Sequence, residues 1–294
     1  MADRGSVNRP PEPAATALAL EVDREDEDPV CGILWSLGTL GIQLGDGAEG
    51  GNPMAITAHF PDADTARRAA DRIHGLGYRA ELRRIDPDEY SDRWRLHART
   101  ERIGSAIVLH PPWERPEPDH SDQLMLEIEP GRAFGSGSHP TTRLCLRLLV
   151  DHPPEPGCPP RVLDVGTGTG VLAVAAARLG AESVTVTETD PGVHATWELN
   201  AERNRVSHLI APGDPDLSTH TDGYGLVMAN LLLPTLRDLS EDLIRLITPR
   251  GRLIVSGVLV HQVDELLGVF GGLIPVDTVQ EDGWVALCLK PEDR

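Results

Sequence analysis

Apolar and polar residues alternate along the first part of the chain in a pattern that predicts a small α+β domain. Short apolar runs predict strands at 16–22, 42–44, 55–60 and 77–85, and apolar residues at helical spacing predict helices at 29–40 and 64–76. This βαββαβ order is that of a ferredoxin-like fold. We therefore predict a ferredoxin-like domain over residues 14–88, followed by a linker region over residues 89–128 with a proline-rich stretch at 113–122.

In the second part of the chain, strands and helices alternate singly. Strands are predicted at 161–165, 183–187, 226–228 and 253–256, helices at 171–179, 191–204 and 234–247, and a closing hairpin at 274–279 and 284–289. Such βα repetition produces a mostly parallel sheet with helices on both faces. The predicted fold of residues 129–294 is therefore a doubly wound α/β domain of the Rossmann-like type.

Length and composition bear on the number of domains, the compartment and the presence of a metal site. The 294 residues favour two domains, and no apolar run approaches the roughly 20 residues that a membrane helix needs. Because the N-terminus lacks the pattern of a secretory signal, the expected compartment is the cytoplasm. No metal site is predicted, since the four cysteines lie far apart without a Cys-x-x-Cys pair. They are Cys31, Cys145, Cys158 and Cys288.

The formal net charge bears on the kind of partner. A charge of −19 repels the phosphates of nucleic acids and favours a positively charged protein. We therefore expect a basic protein as the substrate, with no direct nucleic-acid partner and no membrane partner.

The first βα turn of the doubly wound domain, at 164–170, reads Asp-Val-Gly-Thr-Gly-Thr-Gly. Ligands of such sheets bind at this turn, where glycines let a ligand approach the backbone and the next helix offers free N–H groups. The spacing differs from the Gly-x-Gly-x-x-Gly of dinucleotide sites, and no Gly-Lys-Ser/Thr of a phosphate-binding loop follows. Asp164, ahead of Gly166, Gly168 and Gly170, suits a positively charged cofactor such as S-adenosylmethionine, which carries a sulfonium and an amino group.

Two further strand ends carry candidate polar residues. Glu188 follows the second strand, where a carboxylate can accept both ribose hydroxyls, whereas the nearby Asp190 better fits a helix cap. Asn230 follows the strand at 226–228, and two interpretations stay open for it: it orients a substrate amine, or it caps the next helix. His139 has no partner at ligand spacing, so a hydrogen bond that shapes its loop is its favoured role.

With these residues identified, the chain resembles the PrmA family, whose members trimethylate amino groups of ribosomal protein L11. The most specific match is 130–142, Pro-Gly-Arg-Ala-Phe-Gly-Ser-Gly-Ser-His-Pro-Thr-Thr, beside the family block Pro-Gly-x-Ala-Phe-Gly-Thr-Gly-x-His-x-Thr-Thr. Further matches at 162–166, 227–232, 253–259 and 284–287 follow in the family's order. The similarity runs from about residue 94 to the C-terminus and more faintly through the N-terminal part.

The resemblance implies a class I, Rossmann-like methyltransferase whose S-adenosylmethionine site uses Thr142, Gly166, Glu188 and Asn230. It also implies an N-terminal domain that recognises a ribosomal protein. The implied reaction is an in-line attack of a neutral amine on the sulfonium methyl, with Asn230 as the catalytic residue that orients the amine. The chain departs from the family at Glu188, where Asp is usual, and at Leu233, which replaces a small residue next to the amine pocket.

Three functions are compatible with the sequence. The first is methylation of amino groups in ribosomal protein L11, as the resemblance implies. The second is the same chemistry on another protein or on a small metabolite. The third, from a different class, is a non-catalytic nucleoside-binding protein built on the same scaffold.

Overall fold

The computed structural model describes residues 16–23, 26–39, 41–45, 54–60, 62–84, 98–131, 133–154 and 161–292. Predictions that fall on residues 14–15, 40, 85–97, 132 and 155–160, Cys158 among them, lie outside the described part of the chain. Two compact units make up the chain, Met1–Arg93 and Trp94–Arg294. No helix in the described ranges is long and apolar enough to cross a membrane.

The first unit is an antiparallel sheet with two helices. Its elements are β1 (Thr16–Val22), α1 (Glu27–Ser36), β2 (Gly41–Gly45), β3 (Met54–Phe60), α2 (Ala63–His74) and β4 (Ala80–Arg84). The strand order is β2-β3-β1-β4. Alternate residues of β1, Leu18 and Leu20, are buried in one cluster with Ala66 and Ile73 of α2. The βαββαβ order of elements is the one predicted, and the assignment to the ferredoxin-like class stays a prediction.

The second unit contains a small sheet ahead of the large one. Its strands are β5 (Glu101–Ile103), β6 (Ile107–His110) and β7 (Leu124–Glu127). They lie in the stretch that the sequence analysis assigns to the linker region. Ile107, Leu109 and Leu126 are nevertheless buried in the main core of the second unit. The predicted domain bounds, 14–88, 89–128 and 129–294, stay a prediction, while the described part of 89–128 contributes strands and core residues.

The large sheet has seven strands in the order β10-β9-β8-β11-β12-β14-β13. They are β8 (Arg161–Val165), β9 (Ser183–Thr187), β10 (Ile210–Pro212), β11 (Tyr224–Asn230), β12 (Ile247–Leu259), β13 (Leu273–Glu281) and β14 (Trp284–Pro291). β14 alone runs antiparallel to its neighbours, β12 and β13. The predicted closing hairpin and the mostly parallel, doubly wound sheet are confirmed.

Helices cover both faces of this sheet. They are α3 (Pro140–Asp151), α4 (Val171–Arg178), α5 (His194–Arg203), α6 (Leu233–Asp238), α7 (Ser240–Leu246) and α8 (Val263–Val269). In β8, Val162 is buried in the core cluster that includes α3, α4 and α5, whereas Leu163 and Val165 belong to the cluster that includes α6, α7 and α8. Both faces of the strand therefore carry buried apolar residues, and the buried Asp164 is the exception near its carboxyl end.

Three predicted helices have clearly different bounds in the structure. The helix predicted at 29–40 is α1, Glu27–Ser36. The helix predicted at 191–204 begins only at His194, because the Asp190 side chain accepts the Gly192 N–H at 2.8 Å and stabilises a turn ahead of it. The helix predicted at 234–247 is two helices, α6 and α7. At their junction the Ser240 hydroxyl donates to the Arg237 carbonyl at 2.8 Å, a bond that competes with continuous helix.

The strand order locates the ligand crevice. Chain order reverses at β8, which pairs with β9 on one side and β11 on the other. Ligands of doubly wound sheets bind beyond the carboxyl ends of the strands at such a switch point. The loops after β8, β9 and β11, which carry the predicted cofactor residues, therefore meet at one edge of the sheet.

Candidate cofactor site

The glycine loop after β8 is in contact with the segment that precedes α3. Gly168 has φ +56°, and a Cβ atom on it would lie 2.3 Å from the Phe134 carbonyl oxygen. That same oxygen accepts the backbone N–H of Thr169 at 2.9 Å. Gly166 has φ +69°, and a Cβ there would lie 2.7 Å from Leu231 Cδ2. The backbone conformation therefore favours glycine at both positions, and at Gly168 the nearby backbone carbonyl also leaves no room for a side chain.

Asp164 is a buried carboxylate at the base of this loop. Its side chain accepts the Thr167 hydroxyl at 2.7 Å, and the residue is 1% exposed. Burial raises the pKa of Asp164 to about 6, although the bond from Thr167 acts in the opposite direction. A cationic group bound close by would favour the ionised carboxylate, which is the role predicted for Asp164 toward the cofactor.

Glu188 lies where the sequence analysis predicts it, directly after β9, and contacts the glycine loop. Its Oε2 accepts the Gly168 N–H at 3.1 Å, while Oε1 accepts the N–H groups of Thr189 and Asp190 at 2.9 and 3.0 Å. The carboxylate is half-buried and held in one orientation by these three bonds. Its binding of ribose hydroxyls stays a prediction, and the structure adds that Glu188 also shapes the glycine loop.

Asn230 and Thr142 bring two unpartnered polar atoms to the same edge. The Asn230 Nδ2 donates to the Thr141 hydroxyl at 3.2 Å. Within the described part of the chain, Asn230 Oδ1 and Thr142 Oγ1 are buried without a hydrogen-bond partner. Buried polar groups are otherwise almost always satisfied, so this pair suits a ligand with polar groups of its own. No side chain caps α6, so the structure does not support the capping interpretation of Asn230.

His139 has the loop-shaping role favoured for it. Its Nδ1 accepts the Thr141 N–H at 3.3 Å and caps α3. Burial lowers the pKa of His139, with the nearby Arg143 acting in the same direction, and the neutral ring keeps an acceptor nitrogen for this bond. The ring also makes edge contacts with Phe134 and Trp284, at centroid distances of 5.2 and 4.9 Å. In the described ranges no group of His, Cys, Asp and Glu side chains could hold a metal ion.

The structure adds information on two residues, Leu233 and Asn200. Leu233 is buried in the core cluster on the α6 side of the sheet, while Leu232 before it is exposed. Asn200 of α5 was not predicted at all, yet it accepts the Glu129 N–H at 2.8 Å and donates to the carbonyls of Glu129 and Thr169, both at 2.9 Å. An asparagine on an otherwise buried helix face was the one available signal.

The residues present fit S-adenosylmethionine. The buried carboxylate of Asp164 suits its positive charge, and Glu188 lies at the strand end where a ribose is expected. Two unpartnered oxygens lie at the last residue of β11 and in α3. This fit rests on the chemistry of the donors and acceptors. The role of each site residue toward the cofactor stays a prediction.

Comparison with known proteins gives a consistent result over nearly the whole chain. The family model described as ribosomal protein L11 methyltransferase (PrmA) matches residues 15–292. A ribosomal protein L11 methyltransferase of Syntrophotalea carbinolica is 34% identical over 290 residues, covering 90% of this chain and 94% of its own. Another, from Ralstonia nicotianae, is 32% identical over 295 residues, covering 91% and 96%. The crystal structure of ribosomal protein L11 methylase from Lactobacillus delbrueckii subsp. bulgaricus superposes with a TM-score of 0.60 at 28% identity, covering 66% of this chain and 100% of that one.

Proposed function

Because the chain belongs to the ribosomal protein L11 methyltransferase (PrmA) family, we propose that it transfers methyl groups to amino groups of ribosomal protein L11. The chain is a methyltransferase, and S-adenosylmethionine is its methyl donor. The observation that carries the choice of substrate is the family match over residues 15–292, which extends through both units of the chain. A match to the second unit alone would support only the chemistry.

The cofactor's binding is assigned to residues at three strand ends and one helix. When bound, S-adenosylmethionine supplies an electrophilic methyl group on a sulfonium. Asp164 attracts the positively charged end of the cofactor, and Glu188 accepts the ribose hydroxyls. Thr142 offers its buried hydroxyl, and the N–H groups that follow Gly170 at the start of α4 are free of helical partners.

Asn230 is assigned the role of orienting the substrate amine. Its unpartnered Oδ1 accepts an N–H of the amine, and its Nδ2 is held by the Thr141 hydroxyl, so the amide cannot rotate freely. An amine attacks only when neutral, and loss of water in the pocket lowers the pKa of a lysine ammonium toward neutrality. The proton leaves to solvent before attack, and the protein then contributes proximity and alignment, which together account for several kcal/mol of the barrier.

The charge of the chain suits such a substrate. At −19 it attracts a basic ribosomal protein and steers the encounter between the two proteins. Ribosomal proteins are found in the cytoplasm, so we place the activity there. The N-terminal unit is the proposed recognition domain, since the cofactor residues all lie in the second unit.

The substrate is tested with methyl-labelled S-adenosylmethionine, purified L11 and, separately, a total ribosomal protein fraction. We expect label in L11, located by mass spectrometry on lysine side chains or the N-terminal amine. L11 with acetylated amines is the matched control and should remain unlabelled. Label that appears only in other proteins refutes L11 as the substrate, and cofactor binding without label in any acceptor refutes the catalytic assignment.

A further inference from the structure

Residues 134–138, which we call the strap, precede α3 in the chain and are hydrogen-bonded to the cofactor's glycine loop. At one end of the strap, the Phe134 and Gly135 carbonyls accept hydrogen bonds from Thr169, through its N–H at 2.9 Å and its hydroxyl at 2.8 Å. Thr169 lies between Gly168 and Gly170 in the glycine loop. This end of the strap is therefore bonded directly to the loop that is to hold the cofactor.

The other end of the strap is held by Arg143. Its Nη1 donates to the Ser138 carbonyl at 2.5 Å and to the Gly137 carbonyl at 3.5 Å. Its Nε and Nη2 donate to Oε1 of Glu281 at 2.8 and 2.5 Å. Since Glu281 ends β13, one guanidinium joins the strap to the β13–β14 hairpin. Only a planar, multiply donating group can make both sets of bonds at once.

Partial burial strengthens this connection. The Arg143 side chain is 16% exposed and that of Glu281 is 29% exposed, so their interaction is screened less than an ion pair at the surface. Arg147, one helical turn later, is more exposed and lies farther from the Glu281 carboxylate. Its side chain is 46% exposed, and its Nη1 lies 3.8 Å from Glu281 Oε2. Arg147 therefore provides a matched control with the same charge, the same helix and the same carboxylate.

The strap leads directly into the cofactor residues of α3. His139, the next residue, caps α3 and contacts Trp284 of the same hairpin. The first turn of α3 then places Thr141 against Asn230 and carries Thr142 with its unpartnered hydroxyl. A change in the Gly137–Ser138 backbone is therefore transmitted to the residues that face the cofactor.

We infer that Arg143 is a positioning residue: by joining the strap to Glu281 it keeps the strap and the first turn of α3 in place, and thereby slows the release of the cofactor. The inference rests on the cofactor site of the proposed function. It does not depend on which protein receives the methyl group.

The test is the dissociation rate of S-adenosylmethionine from the full chain, measured by stopped flow without any protein substrate. We expect Arg143→Met to raise this rate about tenfold, the factor expected if about one charge-assisted hydrogen bond's worth of the lost bonds contributes to holding the cofactor. Arg147→Met should stay within about twofold of the wild type. Arg143→Lys should give an intermediate rate, since one ammonium keeps the charge but cannot make both sets of bonds.

Thermal unfolding of each variant separates positioning from stability. If Arg143→Met unfolds more easily but releases the cofactor at the wild-type rate, Arg143 is only structural and the inference is wrong. An equal increase for Arg147→Met also overturns it, because charge alone would then be responsible. Should Arg143→Met fail to fold, Glu281→Gln replaces it and must show the faster release. Failure to label L11 leaves these outcomes unchanged, so the two proposals are tested separately.

Discussion

Replacement of Asp164 by Asn tests the central electrostatic feature of the site. The carboxylate is buried at the base of the glycine loop, and burial raises its pKa from 3.8 to about 6. A shift of this size corresponds to on the order of 3 kcal/mol of unfolding free energy. The folded chain holds its proton more tightly than the unfolded chain, so stability is present at low pH and falls as pH rises from about 4 to about 6.

Asp164→Asn should remove this loss. At pH 7 the unliganded variant is expected to be more stable than the wild type by up to about 3 kcal/mol. This gain is smaller if the asparagine side chain loses the hydrogen bond that the carboxylate accepts from the Ala173 N–H. The same change should weaken binding of S-adenosylmethionine, because the negative charge opposite the cofactor's cationic groups is lost. The variant would therefore gain stability and lose function, as happens at sites where strain serves binding.

Both effects depend on pH in a way that can be measured. Cofactor binding to the wild type favours the ionised carboxylate, so affinity should fall by up to about tenfold per pH unit below about 6. Asp164→Asn should lack this residue's contribution to the pH dependence of cofactor affinity. Denaturant unfolding gives the stability from pH 4 to 8, and calorimetric titration gives the affinity over the same range. Asp190→Asn is the control for the loss of one charge, because Asp190 is an exposed carboxylate two residues after Glu188.

If wild type and Asp164→Asn lose stability in parallel between pH 4 and 6, Asp164 does not carry the raised pKa. If they also bind the cofactor equally well at pH 7, the carboxylate has no role toward its positive charge.

Further variants test other parts of the site. Asn230→Ala should lower turnover about a hundredfold with cofactor affinity nearly unchanged, and unchanged turnover removes Asn230 from the mechanism. Gly168→Ala should weaken cofactor binding more than about tenfold, because its Cβ would lie 2.3 Å from the Phe134 carbonyl oxygen. Gly180→Ala, also at positive φ but with nothing within 4 Å, isolates backbone strain, and an equal effect there contradicts the steric argument. Asn200→Ala should lower the unfolding free energy by about 3 kcal/mol in denaturant titration, since it removes two hydrogen bonds with the Glu129 backbone and one to the buried Thr169 carbonyl, whereas a loss below about 0.5 kcal/mol excludes this role.

Local chemistry made much of the fold predictable. Short runs rich in apolar residues, such as 161–165, predicted strands, and their alternation with helices predicted a mostly parallel sheet covered on both faces. The positive φ angles of Gly166, Gly168 and Gly170 were likewise implied by residue type. Asp164, Glu188 and Asn230 were predicted as site residues because strand ends are recognisable locally, and in a parallel sheet these ends lie at one edge.

Only the tertiary structure decided which of these residues meet and what holds them. The bond from Asn230 to Thr141 spans 89 residues, and the bond from Arg143 to Glu281 spans 138. The bonds of Asn200 to Glu129 span 71. Such contacts depend on the order of strands and the packing of helices, which bring distant segments together without a local sequence signal. The sequence alone therefore determined most of the elements and the cofactor chemistry. Sheet order decided how the strap and the site are held, because long-range hydrogen bonds form only once the sheet has assembled.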